Sequence, residues 1–170
     1  MRVIVILFCL GCSLFGQELK PIDIDFCDAL QHPEQYSGQM VRFRAELHFG
    51  RHFYIREGQC GPIALSYPSD SDVKPKPPFD LIRNDVFYKT REFALQNISP
   101  PDSKDKRVVS VTMEGRFDSV FSLNKNSKVV RKGKGFGPLG LYDNRLVLRS
   151  FEDACVISPG KDNDCVPLEE

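Results

Sequence analysis

From Met40 to Phe49 the apolar residues Val41, Phe43, Ala45, Leu47 and Phe49 alternate with Arg42, Arg44, Glu46 and His48. A period of two puts every apolar side chain on one face, which predicts a strand with one side buried. Gly50-Arg51 then turns the chain into a second run, His52-Phe53-Tyr54-Ile55-Arg56. A third run, Ile63-Ala64-Leu65-Ser66-Tyr67, follows Gly58-Gln59-Cys60-Gly61-Pro62, so three strands form a meander. The period recurs at Val109, Val111, Met113, Gly115 and Phe117, which alternate with Ser110, Thr112, Glu114 and Arg116. Arg145-Leu146-Val147-Leu148-Arg149 is the last predicted strand. Phe43, Leu47, Val111 and Met113 are expected to point inward.

The intervening stretches read differently. Ser69 to Pro78 is rich in Ser, Asp, Lys and Pro and predicts an exposed loop. Phe79 to Asn97 carries Ile82, Val86, Phe87, Thr90, Phe93, Ala94 and Leu95 at near-helical spacing, which predicts one amphipathic helix ended by Ser99-Pro100-Pro101. Phe26 to Pro33 predicts a short helix stopped by Pro33 and released into the turn Tyr36-Ser37-Gly38. The order is therefore a short N-terminal helix, three strands, a helix between strands 3 and 4, and two strands. That order predicts a mainly β protein with an OB-like five-stranded Greek-key barrel.

Several segments carry a family resemblance: Cys27 with 33–41, Gly58-Gln59-Cys60, Val111 to Phe117, and Gly133-Lys134-Gly135-Phe136-Gly137-Pro138-Leu139-Gly140-Leu141-Tyr142 before Leu146-Val147-Leu148. Over roughly Phe26 to Cys155 the chain resembles small exported bacterial proteins with OB-like domains, some grouped with a tRNA-anticodon-binding-like OB family. The resemblance implies the fold and no activity. Similar sequences carry a histidine where this chain has Pro138, so no role for that side chain carries over.

At the N-terminus, Arg2 precedes the apolar run Val3 to Leu10 and the small residues Gly11, Ser13 and Gly16. This is the order of a secretory signal, so 1–16 is expected to be removed, with 17–25 a linker, 26–155 the barrel and 156–170 a disulfide-tethered tail. The competing expectation is a lipid anchor on Cys12. Either way the protein works in the periplasm or outside the cell, with no membrane span after cleavage. Four cysteines remain, and the expected bridges are Cys27–Cys60 and Cys155–Cys165. No cysteine pair has CxxC spacing and His32, His48 and His52 form no compact ligand motif, so neither metal nor cofactor is expected.

Without Arg2, 22 basic residues face 23 acidic ones, so charge-driven binding must be local. The one dense basic segment holds Lys125, Lys128, Arg131, Lys132 and Lys134, between the last two strands, where OB-folds contact ligands. A solvated glycine-rich hairpin explains the same residues. Tyr54, with Arg42 and Arg44, is the second candidate, a stacking and cationic surface for nucleic acid or sugars, against which core packing also accounts for Phe53 or Tyr54. No nucleophile elbow or zinc-protease motif occurs, and no catalytic residue is assigned. The leading expectation is a non-catalytic extracytoplasmic module recognising an envelope protein, peptide or glycan. Recognition of anionic polymer or single-stranded nucleic acid through 125–134 is the alternative, and an unrecognised hydrolase the third. A cleft with convergent carboxylates or a Ser/His pair would revive that last reading.

Overall fold

A computed structural model describes residues 20–48, 53–96, 108–157 and 165–168. In chain order these form β1 (Ile22–Asp23), α1 (Phe26–Gln31), α2 (Pro33–Tyr36), β2 (Met40–His48), β3 (Tyr54–Glu57), β4 (Cys60–Ser66), α3 (Asp85–Gln96) and β5 (Val108–Ser119). Then come β6 (Phe121–Leu123), β7 (Val129–Arg131), a 3-10 turn (Pro138–Gly140), β8 (Asn144–Ile157) and β9 (Cys165–Pro167). The signal segment, Cys12, Phe49 to His52 and Ser99-Pro100-Pro101 lie outside the described residues. No described helix is long and apolar enough to cross a membrane.

Strands β2, β3, β4, β8 and β5 are neighbours in that order, and β5 pairs back onto β2, closing a five-stranded barrel. β4 and β8 run parallel and the other barrel pairs antiparallel. The fold is thus OB-like, as the order of elements predicts. Registers follow His48↔Tyr54, Tyr54↔Ala64, Ala64↔Arg145 and Arg145↔Asp118; extending Met40↔Arg116 by two places sets Asp118 opposite residue 38, ten before His48. Such a stagger tilts the strands and leaves an interior that side chains fill.

That interior holds Phe43, Leu47, Val111 and Met113, all buried as the alternation predicts, with Ile55, Ile63, Phe117, Leu146 and Leu148. Gly115 faces the same space. A β-carbon there would overlap the carbonyl of Val147, so only glycine lets β8 cross β5 this closely. Phe26 and Ala29 of α1 are buried, Phe26 edge-on to Phe43 with ring centroids 5.2 Å apart. Cys27 of α1 lies within disulfide reach of Cys60 on β4 (Cα–Cα 5.6 Å), and Cys155 of β8 within reach of Cys165 on β9 (5.3 Å).

The structure corrects four details. Pro33 ends α1 but also opens α2, a position where its missing N–H is no loss. α3 begins at Asp85 rather than Phe79, because Asn84 caps it: its Oδ1 accepts from Phe87 N–H (2.9 Å) while its Nδ2 donates to Phe151 O (2.7 Å). Residues 79–84 are non-helical instead, with Ile82 N–H donating to Arg149 O at 2.7 Å. The 69–78 segment has no regular structure, as predicted, yet it is a strap that buries Val73 against the barrel. Ser110, Glu114 and Arg116 are buried although the alternation placed them toward solvent: Arg116 donates to Pro75 O of the strap, Glu114 lies in a cleft with Ile82 and Arg149, and Ser110 accepts from Arg44. Finally β8 runs eight residues beyond the predicted end at Arg149, to Ile157, and β9 pairs with it, so the tail is strand-paired as well as tethered.

Candidate functional site

Between β5 and β8 the chain makes an excursion of 24 residues, 120–143, and its local chemistry determines its shape. β6 and β7 form a hairpin whose turn is tied by Asn124, its Oδ1 accepting from the N–H groups of Asn126 (2.8 Å) and Lys128 (3.0 Å). The glycine-rich part that follows is a pinched loop rather than an open one. Phe136 and Tyr142 bond each other's backbones at 2.7 and 3.2 Å, and Gly135 sits against the carbonyls of Gly140 and Tyr142, where a side chain would overlap them.

This loop folds onto the outer face of β4 and β8. Phe136 lies over the Arg145 guanidinium at 4.4 Å, and a β-carbon at Gly137 would press on Tyr142 and Ala64. The Tyr142 hydroxyl is pushed up in pKa by burial and then by Tyr54 beside it. Arg145 is 2% exposed. Its Nε donates to Asp118 (2.9 Å) and its Nη1 to Asp72 of the strap (3.2 Å), while Arg116 makes two bonds to Asp118 (2.7 and 2.9 Å) and one to Pro75 O (2.9 Å). The strap and the excursion are therefore both anchored on two buried arginines sharing one aspartate.

What the excursion leaves outside is apolar and cationic. Leu139 is 96% exposed and Leu141 70%. Leu139 is held at φ 58°, a backbone region that leucine rarely adopts, between Gly137 and Gly140. Lys125, Lys128, Arg131, Lys132 and Lys134 are all exposed. Arg131 is paired with Asp143 (2.5 Å) and leans over Phe121, whereas the four lysines form no ion pair among the described residues.

The second predicted group is not assembled. Arg42 binds Asp23 through two bonds (2.5 and 2.9 Å) and approaches Glu152 (3.4 Å); Arg44 donates to Asp153 (2.6 Å), Ser110 (2.9 Å) and the sulfurs of Cys155 and Cys165. Arg42 is thus held mainly by β1, and Arg44 by β5, β8 and β9, while Tyr54 stacks on His48 with centroids 5.0 Å apart. His48 also meets Glu46 at 3.0 Å, and no cluster of three metal-ligating side chains occurs among the described residues.

Carboxylates do converge elsewhere. β8 pairs with β5 through two irregularities that leave Arg149 and Glu152 without opposite partners, and both flank Glu114 in a cleft of about 600 Å³ that also includes Ser150. Glu114 accepts from Arg149 (2.7 Å); burial raises its pKa most, Arg149 opposes this, and Glu152 raises it further. The folded state thus favours the protonated acid. This stabilisation is full below the ordinary glutamate range and is lost as pH rises through the elevated value. Glu114→Gln is therefore expected to flatten the decline in unfolding free energy as pH rises above the ordinary glutamate range, as read by urea denaturation at several pH values. An unchanged slope would remove Glu114 as its source. Each carboxylate already meets an arginine, so the pair reads as a structural ion network.

The sequence reading found the lysines through their density but missed Leu139 and Leu141. The signal for them was the alternation Gly137-Pro138-Leu139-Gly140-Leu141, with leucines in a stretch too glycine-rich to bury them. Comparisons with protein-family models, with curated proteins and with solved structures find no match to this chain.

Proposed function

We propose that this protein is a non-catalytic binding module of the extracytoplasmic space, docking an acidic envelope protein on the 120–143 excursion. The observation that carries the reading is Leu139, held by two glycines in an unfavourable backbone region with its side chain in water. A fold that spends strain to display an apolar side chain gains by covering it, and strain of this kind gathers at ligand clamps. Leu141 beside it and Lys125, Lys128, Lys132 and Lys134, which form no ion pair among the described residues, set the chemistry of the cover: an apolar pocket rimmed by carboxylates. The two cysteine pairs within disulfide reach fit an oxidising compartment.

The test compares immobilised wild type with L139S/L141S and with K125A/K128A/K132A/K134A for retention of solubilised envelope proteins at two salt concentrations. Burying a leucine contributes about 1.5–3 kcal/mol, so the leucine variant should lose the partner at both salts. Each exposed lysine contributes about 1 kcal/mol or less, so the lysine variant should weaken binding chiefly at low salt. Both variants should be as stable as wild type. Retention by the leucine variant would overturn the reading. Binding of heparin or single-stranded DNA lost only in the lysine variant, with a steep salt dependence, would favour the anionic-polymer alternative.

A further inference from the structure

The segment leading into α3 and the first turns of that helix wall a second cleft, of about 570 Å³. Its floor and sides are aromatic: Phe53, Tyr67 and Tyr88 line it, with Phe87 beneath, edge-on to both tyrosines at 6.5 and 5.6 Å. Arg83 and Arg91, eight residues apart, both reach it. Arg83 directly precedes the Asn84 cap, and Arg91 lies in the second turn of α3. Neither forms an ion pair or hydrogen bond among the described residues, in contrast to Arg42, Arg44, Arg116, Arg131, Arg145 and Arg149. Both act on the Tyr67 hydroxyl, opposing the rise in its pKa that burial causes. Asp80 lines the same cleft and forms no ion pair among the described residues.

We infer that this cleft binds a small carboxylate whose body presents a flat apolar ring face, with the carboxylate on Arg83 and Arg91 and the ring against Phe53, Tyr67 and Tyr88. The volume is that of an ordinary small-ligand site, and the lining has its composition: apolar walls and a few convergent polar groups. Two guanidinium forks in one cleft, both within electrostatic reach of Tyr67, offer a planar carboxylate its complement in shape and charge. An aromatic wall takes a ring face, and Asp80 is an acceptor for a hydroxyl or ammonium on the ring's edge. Two sources share this chemistry, an acidic sugar and an aromatic acid.

The test titrates the full mature protein with glucuronate and with benzoate, using glucose and benzyl alcohol as uncharged counterparts, and follows backbone amide shifts by NMR. At least one carboxylate should shift the amides of Tyr67, Arg83 and residues 85–91, while its uncharged counterpart leaves them in place. A response to glucuronate marks an acidic sugar, and one to benzoate an aromatic acid. R83A/R91A, which removes two exposed side chains, should weaken binding at least about tenfold, the loss of one charge-assisted contact. K125A/K128A/K132A/K134A should bind like wild type, which separates this site from the docking excursion. The inference is overturned if neither carboxylate shifts these amides, if the uncharged counterparts bind equally, or if R83A/R91A binds as tightly as wild type.

Discussion

Replacing Asp118 by Ala is expected to lower the unfolding free energy by about 3–5 kcal/mol, the cost of stripping the partner from buried charge. Asp118 is the only carboxylate shared by Arg116 and Arg145 among the described residues, and Arg145 is almost wholly removed from water. Without it Arg145 keeps one ion-pair partner, Asp72, which sits on the strap and is more than half exposed. The strap would loosen too, since Arg116 and Arg145 hold it through Pro75 and Asp72. Denaturation of wild type and D118A in guanidinium chloride measures the difference. The triple variant R116M/D118L/R145M should recover much of the loss, because apolar groups of similar size need no partner. A D118A protein within about 1 kcal/mol of wild type would show that water, not Asp118, satisfies the two guanidinium groups.

Removing the Cys27–Cys60 bridge by C27A/C60A should cost about 4 kcal/mol on the loop-entropy model, enough to lower Tm by roughly 10 °C in a domain of this size. The bridge closes 33 residues and fastens α1, whose Phe26 caps the barrel interior, to β4. C155A/C165A should cost about 3 kcal/mol or less, because its loop is shorter and β9 remains paired to β8. Calorimetry of the two variants ranks the bridges. A larger loss for C155A/C165A would mean that the tail, not the N-terminal helix, closes the structure.

How much of this was legible in the sequence follows from where its period survives. β2 and the first half of β5 keep strict alternation and were read with the correct inward set, Phe43 and Leu47 facing Val111 and Met113. β8 was cut short at Arg149 because the inward positions Leu148, Phe151 and Ala154 are three apart, not two. The two irregularities that leave Arg149 and Glu152 unopposed shift the phase twice. The start of α3 was misplaced because Ile82 falls in helical phase with Val86, while the cap that decides the boundary is an asparagine side chain bonded to a strand 67 residues away. Ser110, Glu114 and Arg116 look like solvent positions until Arg44, Arg149 with Ile82, and Pro75 of the strap meet them in turn, and no local pattern announces such distant partners. At the candidate site the charges were legible as density. The display of Leu139 was not, since it depends on a positive φ and on Phe136 and Tyr142 closing the loop beneath it.

The central claim is that the partner sits on Leu139, and site-specific photocrosslinking tests it most directly. A photoreactive amino acid is placed at Leu139 in one protein and at Lys89 on α3, far along the chain from the excursion, in another. Both are exposed in cells to light, and the products are separated by size and charge. The account predicts one discrete adduct, with an acidic protein, from position 139 and none from position 89. Adducts from both positions, or from neither, would contradict it.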